Sequence, residues 1–183
     1  MGLKRLFMTM FSVLFRPETF WKEIREHRRE VNAMKDYAAP VIAMVQLCKI
    51  PFIGVPRMAM FAAIISFIVD VAVLYLLSGA IFSILGRDQP ESVQHDVMTM
   101  LSYSLTPIWL AEPFYFLGPW RWVFLAAALL HTLFISRFGL QAMFDKEVPH
   151  IDALSGKSTM LVALATMTSF MLMSGIMRFF TSF

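Results

Sequence analysis

Residues 101–143 constrain this chain more than any other stretch: LSYSLTPIWLAEPFYFLGPWRWVFLAAALLHTLFISRFGLQAM. Two apolar runs flank the turn Leu117-Gly118-Pro119-Trp120, and each is long enough to cross a bilayer. At ~1.5 Å rise per residue, about 20 helical residues cover the hydrocarbon core. The stretch therefore reads as a transmembrane helical hairpin. Composition agrees: 58% of the 183 residues are apolar and only 16% are charged, against roughly 25% charged in soluble domains. The length fits one domain.

Hydropathy predicts an all-α integral membrane protein with five spans, at 38–55, 58–85, 97–117, 120–143 and 159–180. Residues 1–37 form a separate cytosolic or interfacial region ahead of the membrane domain, 38–183. Within it, Leu3, Leu6, Phe7, Met10, Phe11 and Leu14 repeat at helical spacing, with Lys4 and Arg5 off that face. This pattern predicts an amphipathic helix lying in the headgroup layer. Arg16-Pro17-Glu18 follows in place of a small-residue cleavage site, against a removed signal peptide. Pro17 suits the first turn of a second amphipathic helix, lined by Phe20, Trp21, Ile24, Val31 and Met34. Residues 86–96 and 144–158 read as polar loops.

Eight of the sixteen Lys and Arg lie within residues 1–37. With that end cytosolic, Arg87, Arg137, Lys146 and Lys157 join them inside, while Arg57, Arg121 and Arg178 fall outside. The bias predicts a cytosolic N-terminus and an external C-terminus. A basic segment beside membrane spans points to anionic lipid headgroups as partners rather than nucleic acid. Cys48 stands alone, so no intrachain disulfide exists, and its apolar surroundings suggest packing.

Ionisable residues at bilayer depth need partners, hydration or neutralisation. Counted from the cytosolic ends of their spans, Lys49 lies ~16 Å deep and Asp70 and Glu112 both lie ~22 Å deep. His131 lies ~14 Å from the inner face. These four are the candidate binding residues. One reading is a structural polar network tying spans 1, 2 and 3, with Lys49 paired first to Asp70 or else to Glu112. A second is a proton or ion relay through His131. A third leaves Glu112 at the outer interface beside Arg121. Met160, Met167 and Met171 share a face of span 5 and read as core filling rather than a copper site. Asp88, Glu91, His95 and Asp96 read as a solvated turn rather than a metal site. No cofactor is implied, and no nucleophile with a base or phosphate-binding loop emerges, so the chain reads as a non-enzyme.

Ser102-Tyr103-Ser104-Leu105-Thr106-Pro107 resembles the GYxxxP element of the Yip family (Ypt/Rab-interacting proteins), with Ser102 in place of the glycine. Asp36-Tyr37-Ala38-Ala39-Pro40 resembles that family's DLxGP element at the entry to the first span, keeping Asp36 and Pro40 but not the Leu and Gly. Their order and the five-span layout are also similar, over about residues 17–183. The resemblance implies a membrane scaffold or adaptor that binds lipid, shapes membrane or recruits a protein partner, with homo-oligomers as a further option. The short N-terminal region, lacking a long acidic or Pro-rich tail, implies a prokaryotic member in a bacterial inner membrane, where no Rab partner is required. The alternative is a small oligomeric transporter of ions, protons or solutes that uses Lys49, Asp70, Glu112 and His131.

Overall fold

The computed structural model describes residues 2–27, 32–52, 56–85, 91–144 and 151–181. Among them every regular element is helical. Helices α1 (Leu3–Phe15) and α2 (Pro17–Glu26) are followed by a π-helical turn, Met34–Ala38, that leads into α3 (Ala39–Lys49). Then come α4 (Pro56–Leu85), α5 (Glu91–Ser104), α6 (Thr106–Ala111), α7 (Arg121–Phe144) and α8 (Ile151–Thr181). Single 3-10 turns occupy Ile50–Phe52, Glu112–Phe116 and Gly118–Trp120. Helix α4 packs against α3, α5 and α8, while α7 packs against α2, α5, α6 and α8.

Two segments, Arg57–Ile84 (28 residues) and Gly118–Phe144 (27 residues), are long and apolar enough to cross a membrane. They correspond to the expected spans 2 and 4. The turn before α7 is as tight as its sequence suggests, because Gly118 adopts φ +57°, which a side chain would disfavour.

Spans 1 and 3 are each divided into shorter helical pieces, and proline is the reason at each break. Proline cannot donate a backbone hydrogen bond, and its ring crowds the carbonyl four residues back. Before Pro40, the Ala39 N–H reaches five residues back to the Met34 carbonyl, which makes the π turn. Before Pro51, the Ile50 N–H instead tightens onto the Leu47 carbonyl. Before Pro113, the Glu112 N–H does the same onto Trp109. Pro107 divides span 3 again, into α5 and α6. The expected polar loops are also shorter: 91–96 begin α5 and 151–158 begin α8. His95 and Asp96 thus stand on a helix, with Asp96 buried, while Asp88 lies outside the described residues.

The N-terminal helices belong to the same core as the rest. Leu6, Met10 and Val13 of α1 and Phe20, Trp21 and Ile24 of α2 join residues of α3, α4, α5 and α7 in one cluster. The predicted stripe on α1 is therefore split. Leu6 and Met10 face inward and Leu14 packs partly buried against the core, while Leu3, Phe7 and Phe11 face outward. Helix α2 ends at Glu26, so Met34 lies beyond it in the π turn, and Val31 is outside the described residues. On its exposed face Lys22 donates to Glu18 at 2.8 Å, which holds the Glu18 carboxyl below its ordinary range. An exposed pair of this kind adds little stability.

Trp21 seats on α7 at Gly139. A Cβ there would lie 2.8 Å from Trp21 Cζ2 and 2.9 Å from Met100 Cγ. Met100 can move, but the Trp21 ring is held by Phe20 and Tyr103 at 5.4 and 6.0 Å. Gly139→Ala is therefore expected to cost about 1–3 kcal/mol through overpacking. Gly79 meets nothing within 4 Å and makes the control. Thermal unfolding in detergent should drop clearly for Gly139→Ala and not for Gly79→Ala; equal midpoints would remove the close contact.

Candidate functional site

Three elements converge on the deepest polar cluster. Helix α3 supplies Gln46 and Lys49, one turn apart on one face. The middle of α4 supplies Asp70, and the residue just past α6 supplies Glu112. Lys49 Nζ forms an ion pair with Glu112 Oε2. Gln46 Nε2 bridges the two carboxylates, donating to Asp70 Oδ2 at 2.7 Å and to Glu112 Oε2 at 3.1 Å. All four side chains are closed off, between 2% and 4% exposed. The proline-induced breaks set this geometry, since Lys49 ends α3 and Glu112 starts the turn after α6. Carbonyls at the end of a helix favour a cation, which suits Lys49.

The structure thus brings Lys49, Asp70 and Glu112 together and corrects the pairing. Lys49 meets Glu112, not Asp70, and Glu112 is buried rather than placed at an outer interface. Asp70 is held by Gln46, a residue the sequence reading passed over. Its signal was available: a lone amide in an apolar run, three positions before Lys49, faces the same way as that lysine. His131 stands apart from the network. Its Nε2 lies 3.0 Å from the Leu14 carbonyl, so it ties α7 to the end of α1.

The two family-like elements meet at a second place. Pro107 leaves the Tyr103 carbonyl without its helical donor, and the Thr106 hydroxyl takes that role at 2.7 Å. Having given its proton to Tyr103, Thr106 accepts from the Tyr37 hydroxyl at 2.8 Å. The Tyr103 ring lies 4.5 Å from Tyr37 and 4.8 Å from Phe20. Pro107, Thr106, Tyr37 and Tyr103 therefore clamp the π turn and α2 onto the α5–α6 joint. Pro40 starts α3, and Asp36 is exposed beside the clamp.

A cavity of about 600 Å³ opens there between α1, α2 and the π turn, lined by Arg5, Thr9, Glu23, His27, Asp36 and Tyr103 among others. A second hollow of about 410 Å³ lies across α1 and is lined by Phe7, Met8, Phe11, Ser12 and Arg16. Other sequence expectations turn outward. Cys48 is exposed rather than packed, and Met160, Met167 and Met171 face away from the core. Among the described residues no group of three His, Cys, Asp or Glu could hold a metal ion.

No protein-family model, curated protein or solved structure matches this chain.

Proposed function

We propose that the chain is an integral membrane protein of five spans, with a cytosolic N-terminus and an external C-terminus. It acts as a non-enzymatic scaffold in the manner the Yip resemblance implies, binding lipid or recruiting a partner. One observation carries this reading: charged and polar side chains are buried between the helices while large apolar ones cover the outer faces of α4, α7 and α8. Gln46, Lys49, Asp70, Glu112, Thr132 and Ser136 are buried. Phe61, Ile64, Ile68 and Leu76 on α4, Leu130 and Phe134 on α7, and Met160, Leu164 and Met171 on α8 are exposed. Water-soluble monomers rarely expose apolar surface on this scale. In lipid the same surface is matched to its solvent, and buried polar groups hold helices together. The carboxylates and ammonium are closed into one bonded cluster, as a structural tie requires.

The helix breaks beside Lys49 and Glu112 favour a second reading, transport, because discontinuous helices in membranes often flank ion sites. One measurement tests the topology and a second separates the two readings. A reporter fused after Phe183 should be active only outside the cell; cytosolic activity would sink the five-span topology. Protein-loaded vesicles should leak protons and sodium no faster than empty ones. A flux that Glu112→Gln abolishes would replace the scaffold with a transporter.

A further inference from the structure

We propose that the cavity between α1, α2 and the π turn binds the headgroup of a zwitterionic aminophospholipid, a phosphoethanolamine, with an acyl chain running across α1. The inference rests on the membrane reading above and adds a defined site and ligand class to it.

The cavity walls carry both signs of charge. Arg5 stands on α1, Glu23 on α2 and Asp36 in the π turn, and none of the three has an ion-pair partner among the described residues. The Tyr103 side chain is 97% removed from solvent, since it is 3% exposed. It lines the cavity. Asp36 and Arg5 are charges near enough to act on it. A group that satisfies this set donates hydrogen bonds to two carboxylates and accepts from a guanidinium and a phenol. A primary ammonium and a phosphate on one short linker do so. A purely anionic headgroup would face Glu23 and Asp36 unpaired, and a quaternary ammonium has no N–H to give them.

The neighbouring hollow supplies the place for the tail. It shares Met8 and Ser12 with the charged cavity and presents Phe7 and Phe11, both exposed. Polar and apolar compartments therefore adjoin across α1, the arrangement an amphiphile needs. A volume of about 600 Å³ lies within the range of small-molecule sites.

The test uses the full chain in a neutral detergent, titrated with phosphatidylethanolamine, phosphatidylcholine or phosphatidylglycerol of matched chains. The ethanolamine lipid should raise the unfolding temperature at a concentration about tenfold below the other two, as expected for charge-assisted bonds they cannot complete. Glu23→Gln with Asp36→Asn should abolish that preference, and Phe11→Ala should weaken all three lipids alike. Equal response to the three lipids, or a preference for the glycerol headgroup, would overturn the site. So would a preference that survives the double substitution. None of these results touches the membrane reading, which falls only if alkaline extraction releases the chain from membranes.

Discussion

Replacing Lys49 by Met is expected to destabilise the protein by about 3–5 kcal/mol, because it strands a buried carboxylate without its cation. The surroundings explain the size. Lys49 and Glu112 are 2% and 3% exposed, so water cannot take the place of the lost ammonium. Gln46 continues to donate to Glu112, which softens the loss without removing it. Replacing both members of the pair, Lys49→Met with Glu112→Leu, should restore most of the stability, since apolar residues of similar volume commonly replace buried ion pairs at little cost. Lys49→Met with Asp70→Leu should restore much less, because Asp70 is bonded to Gln46 and that amide would then lose an acceptor. Asp70→Asn makes a further contrast. It keeps an oxygen for Gln46 and leaves the Lys49–Glu112 pair in place, so it should be tolerated. Unfolding of these five proteins in one detergent checks all of this. A Lys49→Met protein as stable as the parent would refute the buried pair. A rescue by Asp70→Leu that exceeds rescue by Glu112→Leu would return Lys49 to Asp70.

That pairing marks the limit of what hydropathy can give. Long unbroken apolar runs made α4 and α7 legible almost to the residue, and helical spacing with Pro17 made the bounds of α1 and the start of α2 legible. Depth counted along the apolar runs puts Asp70 and Glu112 at one level with Lys49 within reach, and the three side chains do meet in one cluster. It could not choose between the two carboxylates, because that depends on helix rotation and on Pro113 turning Glu112 inward. The prolines are visible in the sequence, but the kind of turn each imposes, π before Pro40 and 3-10 at Pro51 and Pro113, is set by local packing. Methionine on α8 was misplaced for a related reason. An apolar side chain looks the same in sequence whether it meets protein or lipid, and only packing decides between them. Gly139 carried no pattern to distinguish it from Gly79, yet only Gly139 lies against Trp21.

Trp21 is where the sequence most understated the N-terminal helices, and Trp21→Ala is expected to cost about 3–5 kcal/mol, the usual range for emptying a buried tryptophan site. An amphipathic helix resting on a membrane would lose only lipid contact. Trp21 is instead 1% exposed, packed on the bare backbone of Gly139 and set edge-on to Phe20 and Tyr103. Removing it opens a void shared by α2, α5 and α7 and loosens the clamp that holds the π turn. Its indole Nε1 is buried without a hydrogen-bond partner among the described residues, so Trp21→Phe gives up volume but no polar contact seen there. That variant should keep more than half of the lost stability. Phe11→Ala, on the outward face of α1 at 58% exposure, should change unfolding little. Hydrogen exchange supplies the local readout. In Trp21→Ala, amides of α2 and of α7 around Gly139 should lose protection together, whereas His131, tied to the Leu14 carbonyl, should keep the end of α1 anchored. If Trp21→Ala unfolds at the parent temperature, or if α2 loses protection while α7 keeps it, the N-terminal helices are peripheral and the shared core is wrong.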